Sequence, residues 1–425
     1  MMYDLKIIHG QCYIDHEFIE TNIYIKLGKI AYIGKEVFDA LETIDAQNLK
    51  VLPGFIDPHV HLHLNIGSTY SSDDFYTGSQ LAAYGGVTTI LDFLDPIYSN
   101  DEFYQVFNRR LKEASESIVD YSFHCTLANY KDKFNSLLPS LDEVGITSVK
   151  VFTTYSDTDR RCSDEKIKEI LSEKILMMAH SEKDEMIKPC KEMNDYEASR
   201  SDKAEYEAIK TLLSSRTDRS KLYIVHISSG HSLKELKNTS GVYYESCPQY
   251  FYLSRDLFLK EEGKKYLLAP PLRSVESIDL MKDNFYKLHT IGTDHCPFMF
   301  NEKMIESPVD NIPKGLGSLG YAFQLMYSIF GTEVIPKFTE NPAEIFKLET
   351  KGYLKIGLDA DIVLIEEGNF KIESSYSKCD FNVYEDFDVK CRVKTTIRTG
   401  KIIMQDGKVF NHKGRYIRRA YEGNN

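Results

Sequence analysis

The chain reads as an α/β protein, a (β/α)8 TIM-type barrel carrying a smaller β-sandwich domain built from both chain ends. Three observations predict it. Apolar spacing changes from hairpin-like alternation to a strand–helix repeat at residue 51 and reverts after Asn341. Within the repeat stand eight short β-rich runs. Ionisable residues gather at the ends of those runs, where a barrel of this kind builds its sites.

In chain order, "YDLKIIHG" and "TNIYIKLGKIAYIGK", within residues 1–50, are short alternating runs punctuated by Gly, a pattern of antiparallel hairpins. The barrel is expected over 51–344. Its eight strands are read from "VLPGFIDPHV", "GVTTILDFL", "DYSFHCTL", "SVKVFTTY", "KILMMAH", "KLYIVHIS", "GVYYESC" and "HTIGTD", with helical stretches such as "DEFYQVFNRRLKEASES" between them. Hairpin patterning returns over 345–425 in "GYLKIGLDADIVLIEEG", "VKTTIRTGKIIMQDGKVF" and "GRYIRR", so residues 1–50 and 345–425 are expected to meet as one discontinuous domain. No short-period repeat or low-complexity tract calls for another reading.

Composition limits the function classes. With 425 residues, 42% of them hydrophobic and 27% charged, the chain can bury a large core. Its formal net charge of -12 argues against nucleic-acid or anionic-membrane partners and leaves small molecules as the expected ligands. The N-terminus lacks a signal-peptide pattern and no apolar run is long enough to span a bilayer, so a cytoplasmic location is expected. Eight cysteines lie scattered without a C-x-x-C pair, so neither disulfides nor a Cys-ligated zinc is expected.

The polar residues then fall into place. In "PGFIDPHVHLH", His59, His61 and His63 stand at alternate positions and share one face of an extended strand. An isolated H-x-H is as readily polar decoration of a strand end, but the rest of the chain adds partners. His59 and His61 end the first barrel strand, His180 ends the fifth, His226 lies late in the sixth and Asp294 ends the eighth. Such a gathering of metal-competent groups points to a metal site.

Lys150, in the apolar "SVKVF" of the fourth strand, is the odd member, because an ammonium repels cations. Burial lowers a lysine pKa, and a neutral amine can add CO2 to become an anionic two-oxygen ligand able to bridge two cations. The alternative is a lysine that snorkels at the rim or pairs with a neighbour.

Together with "DDFYTGSQLAAYGGVTTILDF", "AHSE", "VHISSG", "ESCPQYFYL", "APPLR", "GTDHCPF", "NPAEIF" and "GLDADIVL", these motifs are similar to those of the amidohydrolase superfamily. Within it the chain resembles the dihydropyrimidinase/hydantoinase group of cyclic amidases. The resemblance implies metal-dependent hydrolysis of a hydantoin or dihydropyrimidine ring to an N-carbamoyl amino acid by a metal-bridging hydroxide. It also implies two divalent ions, zinc first among them since the ligands are nitrogen and oxygen, with manganese, cobalt or iron as other occupants. His59, His61 and Asp294 would hold one, His180 and His226 the other, and N6-carboxylysine at Lys150 would bridge them. Asp294 would act as general base, and Tyr155 would donate its hydroxyl to the developing oxyanion.

The Tyr at 155 and the absence of an arginine at His63 set the chain apart from dihydroorotases. Allantoinase and isoaspartyl dipeptidase chemistry, and a scaffold without catalysis, are the other readings of the same motifs. Near the ring-binding motifs the chain departs from the group at Ala269, where serine is common, and at Lys314, where asparagine is common. With His63, Arg160 and Arg161 these residues are expected to line the substrate mouth, a cationic rim suited to a carboxylate-bearing ring; the other reading pairs His63 with a group outside the site and turns both arginines to solvent or to Asp157, Asp159 or Asp164. His124, His231, His295 and Cys296 are read as structural or as supports behind the site's ligands. A homo-oligomer, dimer or tetramer, is expected.

Overall fold

The computed structural model describes residues 2–373 and 376–420, so residues 1, 374–375 and 421–425 of the expected β domain lie outside it. Eight parallel strands follow one another in chain order: β1 (Phe55–Val60), β2 (Val87–Phe93), β3 (Asp120–Thr126), β4 (Ser148–Phe152), β5 (Leu176–His180), β6 (Lys221–Ile224), β7 (Val242–Ser246) and β8 (Thr290–Ile291). The ring closes through backbone just beyond β8. Asp294 N donates to His59 O at 2.8 Å, and His61 N donates to His295 O at 2.9 Å.

β4 shows how the sequence builds this barrel. Val149 and Val151 point outward into the core shared with the helices, so Lys150 between them is turned inward. Leu91, Phe93, Met178, Tyr223 and Val225 form a separate inner cluster, closed by Phe346 and Leu348. Helices Phe75–Tyr84, Asp164–Leu171 and Asp202–Ser214 start on Asp74, Ser163 and Ser201, whose side chains accept from the backbone N–H three residues on.

The run read as the first strand is divided. Lys50–Pro53 pairs with Ile362–Ile365 in the second sheet, and only Phe55–Val60 enters the barrel. Gly54 is the pivot, packed so closely that a Cβ there would lie 2.3 Å from Thr88 Oγ1. The second sheet has nine strands, drawn from residues 3–53 and 362–409. Most pairs are antiparallel, but Tyr3–Ile14 runs parallel to Ala40–Asp45 and Lys50–Pro53. The expected sandwich is thus one continuous sheet around a core of Ile7, Ile23, Ile25, Ile30, Val51, Ile362, Leu364 and Ile397.

"GRYIRR" does not join that sheet. Tyr416 pairs with Tyr121 of β3, and Arg419 donates to Ser122 Oγ and Ser148 Oγ at 3.0 and 3.1 Å. A buried charge network ties the two sheets together: Lys351 Nζ lies 2.6 Å from Asp120, 2.5 Å from Asp361 and 3.3 Å from Asp359. Arg398, from the nine-stranded sheet, reaches Asp120 at 2.6 Å.

Candidate active site

The C-terminal ends of the barrel strands bring two groups of donors together. In the first, His59 Nε2 and His61 Nε2 are 3.2 Å apart, and each lies 3.2 Å from Asp294 Oδ1. In the second, His180 Nδ1 faces His226 Nε2 at 3.0 Å. β6 stops at Ile224 and β8 at Ile291, earlier than the sequence patterning suggests. His226 and Asp294 instead sit in left-handed backbone, with φ of 35° and 51°, which swings them toward the mouth.

Lys150 is buried on β4, with Nζ 5.0 Å from the Phe93 ring centroid. Burial pushes its amine down to about 8, against the pull of Asp294 and Glu245. Its charge bears on His59 and His61 of the first group and on His180 and His226 of the second. A burial that would discharge His59 is overcome by Glu245 and Asp294, which hold its imidazole up at about 9.

The donors fit divalent ions. A tetrahedral zinc with nitrogen or oxygen ligands at about 2.0–2.1 Å places neighbouring ligands roughly 3.3 Å apart. The separations within the first group have that size. Outer contacts fix the rings as metal-ligating histidines require. His59 Nδ1 meets Glu245 Oε1 at 2.7 Å, and His180 Nε2 meets Glu182 Oε2 at 2.7 Å.

Tyr155 follows β4 in a left-handed conformation, φ 74°, a position that costs a bulky residue energy. Its ring lies 5.1 Å from the His180 ring, and burial pushes its phenol up to about 12, so it stays protonated and can donate.

The rim is less cationic than expected. Arg161 turns to Asp164 and Glu185, at 3.4 and 3.7 Å, and Lys314 Nζ donates to the carbonyls of Val309, Asp310 and Ile312 at 3.0, 2.9 and 3.2 Å. Arg161 thus pairs with Asp164, the alternative its sequence context also offers, and Lys314 is held by nearby carbonyls. Arg160 acts electrostatically on Tyr155. His63 is exposed and stacks on Tyr70 at 4.5 Å, apart from the donor groups. Ala269 precedes Pro270 in a segment held by Tyr196 OH on Leu268 O at 2.7 Å and Tyr250 OH on Pro270 O at 2.8 Å.

His295 pairs with Asp73 at 3.0 Å, and His124 bonds Ser148 and Pro58 O at 2.6 and 3.0 Å. His231 is half-buried on the helix after β6, and Cys296 is a buried free thiol.

Sequence reading missed Glu245, Glu182 and Arg200. Glu245 is fully buried and also accepts from Tyr223 OH at 2.7 Å and His226 N at 2.9 Å. Its signal was available: an acid in the apolar strand "VYYES" is as anomalous as the lysine in "SVKVF".

A barrel whose mouth gathers imidazoles, a carboxylate and a buried lysine in this geometry is a metal-binding enzyme scaffold. The amidohydrolase family profile matches residues 50–403, and the chain belongs to that family. It is similar to the D-phenylhydantoinase of Escherichia coli O1:K1 / APEC, 29% identical, covering 94% of this chain and 95% of that one. Among solved structures, dihydropyrimidinase from Brevibacillus agri NCHU1002 superimposes with a TM-score of 0.90 at 27% identity, covering 98% of both chains. D-hydantoinase from Bacillus sp. AR9 gives 0.91 at 26% identity over 98% of this chain and 99% of the other. The resemblance drawn from the motifs is borne out. No helix among the described residues is long and apolar enough to cross a membrane.

Proposed function

We propose that this protein hydrolyses a cyclic amide, a hydantoin or dihydropyrimidine ring, to the N-carbamoyl amino acid. The observation that carries the reading is the placing of Tyr155, a protonated phenol held in strained backbone beside the His180–His226 pair. The similarity to hydantoinases and a dihydropyrimidinase supports the ring class.

In this reading His59, His61 and Asp294 would hold one divalent ion, His180 and His226 would hold the other, and Lys150 as its carbamate would be a ligand shared between them. Zinc suits these ligands. Such ions, when bound, supply an activated water at neutral pH and polarisation of a carbonyl. Asp294 takes the proton that the water gives up and returns it to the ring nitrogen as the C–N bond breaks. Tyr155 donates its hydroxyl to the amide oxygen as negative charge gathers there. Glu245 and Glu182 keep the rings of His59 and His180 turned to the site.

With Arg161 and Lys314 held by local partners, Arg160, whose charge bears on Tyr155, is a cation placed to meet a ring substituent. The test is a panel of dihydrouracil, phenyl-, isopropyl- and carboxymethyl-hydantoin, dihydroorotate, allantoin and an isoaspartyl dipeptide, with metal content measured on the same sample. Opening of the hydantoins or dihydrouracil, with the carboxymethyl ring favoured, is expected. Turnover confined to the last three compounds would overturn the assignment.

A further inference from the structure

Arg200 touches the site from outside the donor groups, and nothing in the roles above uses it. It is 7% exposed and lies beyond β5, just before the helix Asp202–Ser214. Its guanidinium carbon is 4.9 Å from the centroid of the Tyr155 ring. Arginine's flat, weakly hydrated cation stacks on aromatic faces in a way that a lysine ammonium does not reproduce. The opposite edge of the guanidinium grips Glu182: Nε donates to Oε1 at 3.1 Å and Nη2 donates to Oε2. Such a two-point grip fixes the plane of the guanidinium and therefore of whatever stacks on it.

The Arg200 backbone is itself anchored, since Arg273 Nη1 donates to Arg200 O at 2.7 Å and reaches Glu197 at 3.2 Å. Arg200 thus pairs with Glu182, and Arg273 shares Glu197 with Arg255. Tyr155 needs such support. Its left-handed turn is braced on the backbone side by Asp184, which accepts from Thr154 Oγ1 and Ser156 N at 3.0 and 3.3 Å. Among the described residues the phenol has no hydrogen-bond partner, so its ring direction rests on packing against His180, Phe152 and Arg200.

We infer that Arg200 is a positioning residue for the oxyanion donor: stacked on Tyr155 and locked by Glu182, it aims the phenol hydroxyl at the reacting carbonyl. The inference rests on the proposed ring-opening function and on the role given there to Tyr155. Arg200 does not touch substrate in this account; it acts through the tyrosine.

A double-mutant cycle tests it, because the effect of Arg200 should exist only while the hydroxyl exists. Turnover of a hydantoin is measured for wild type, Tyr155→Phe, Arg200→Lys and the double variant, with metal ions per chain measured for each. Removing the hydroxyl from wild type is expected to cost about 100-fold in kcat, the size typical of a lost oxyanion donor. In the Arg200→Lys background the same removal is expected to cost less than about threefold, with metal content unchanged and KM within about twofold. If Arg200→Lys fails to fold, the same hydroxyl ratio is read in the Arg200→Gln background, which leaves Glu182 in place. A ratio still near 100-fold there, or a loss that tracks lost metal, overturns the role of Arg200 and leaves the function standing. A wild type that opens no ring, or a Tyr155→Phe enzyme as fast as wild type, overturns both.

Discussion

Lys150 is a cation set among groups that gather cations, and its burial makes that arrangement intelligible. An amine pushed down to about 8 is partly neutral near physiological pH and so available to CO2. Lys150→Ala should abolish ring opening, and short carboxylic acids that mimic the carbamate should restore part of it, as read by a rate assay with and without propionate. Absence of rescue together with full metal content would count against the bridge. Tyr155→Phe should lower kcat by about 100-fold, while leaving metal content unchanged, since it removes one donor and no ligand. The residues that could be read from sequence were those whose type was anomalous for their place: imidazoles at strand ends, a lysine in an apolar run. Glu245 and His59 are 186 residues apart, and their 2.7 Å contact has no trace in local patterning. For Arg161 the sequence left two readings, the substrate mouth and a pair with Asp157, Asp159 or Asp164. Its position after Tyr155 suggested the mouth, but a turn of the chain presents it to Asp164 at the start of the next helix.

At the scale of elements, strand alternation did most of the work. Val149 and Val151 facing the helices oblige Lys150 to face inward, and the same parity brings His180 to the mouth on β5. What alternation could not show was where a strand stops. β8 is only Thr290–Ile291, and Asp294 reaches the site through a turn. Nor could it show that "VLPGFIDPHV" serves two sheets, because both halves are equally apolar and only Gly54 marks the change. The joint between the sheets also rests on charge. Lys351 is 2% exposed among Asp120, Asp359 and Asp361, so Lys351→Met should cost about 3–5 kcal/mol by leaving the buried Asp361 carboxylate without its cation. Denaturant unfolding measures it. Burial opposes ionisation of Asp359, but Lys351, Lys29, Thr350 and Arg415 hold its carboxyl down at about 2. A depressed folded pKa stabilises above the unfolded value and is lost as pH falls through the folded one. The stability difference between wild type and Asp359→Asn should therefore be full above about pH 4 and shrink toward about pH 2.

For the whole molecule, a (β/α)8 barrel supplies the donors and a nine-stranded sheet from both chain ends is fastened to its side and base. The sheet contributes no residue to either donor group. The segment 414–419 lies along β3, on the barrel rather than in the sheet, which hairpin-like patterning alone did not reveal. Metal-dependent ring opening is the central proposal, and metal removal tests it most directly. Hydantoin turnover is followed while bound ions are stripped by a chelator and then restored by titration, with ions per chain counted at each step. The account predicts that turnover vanishes in the stripped protein and returns fully only near two ions per chain, with the N-carbamoyl amino acid as product. Undiminished ring opening by fully stripped protein would contradict it.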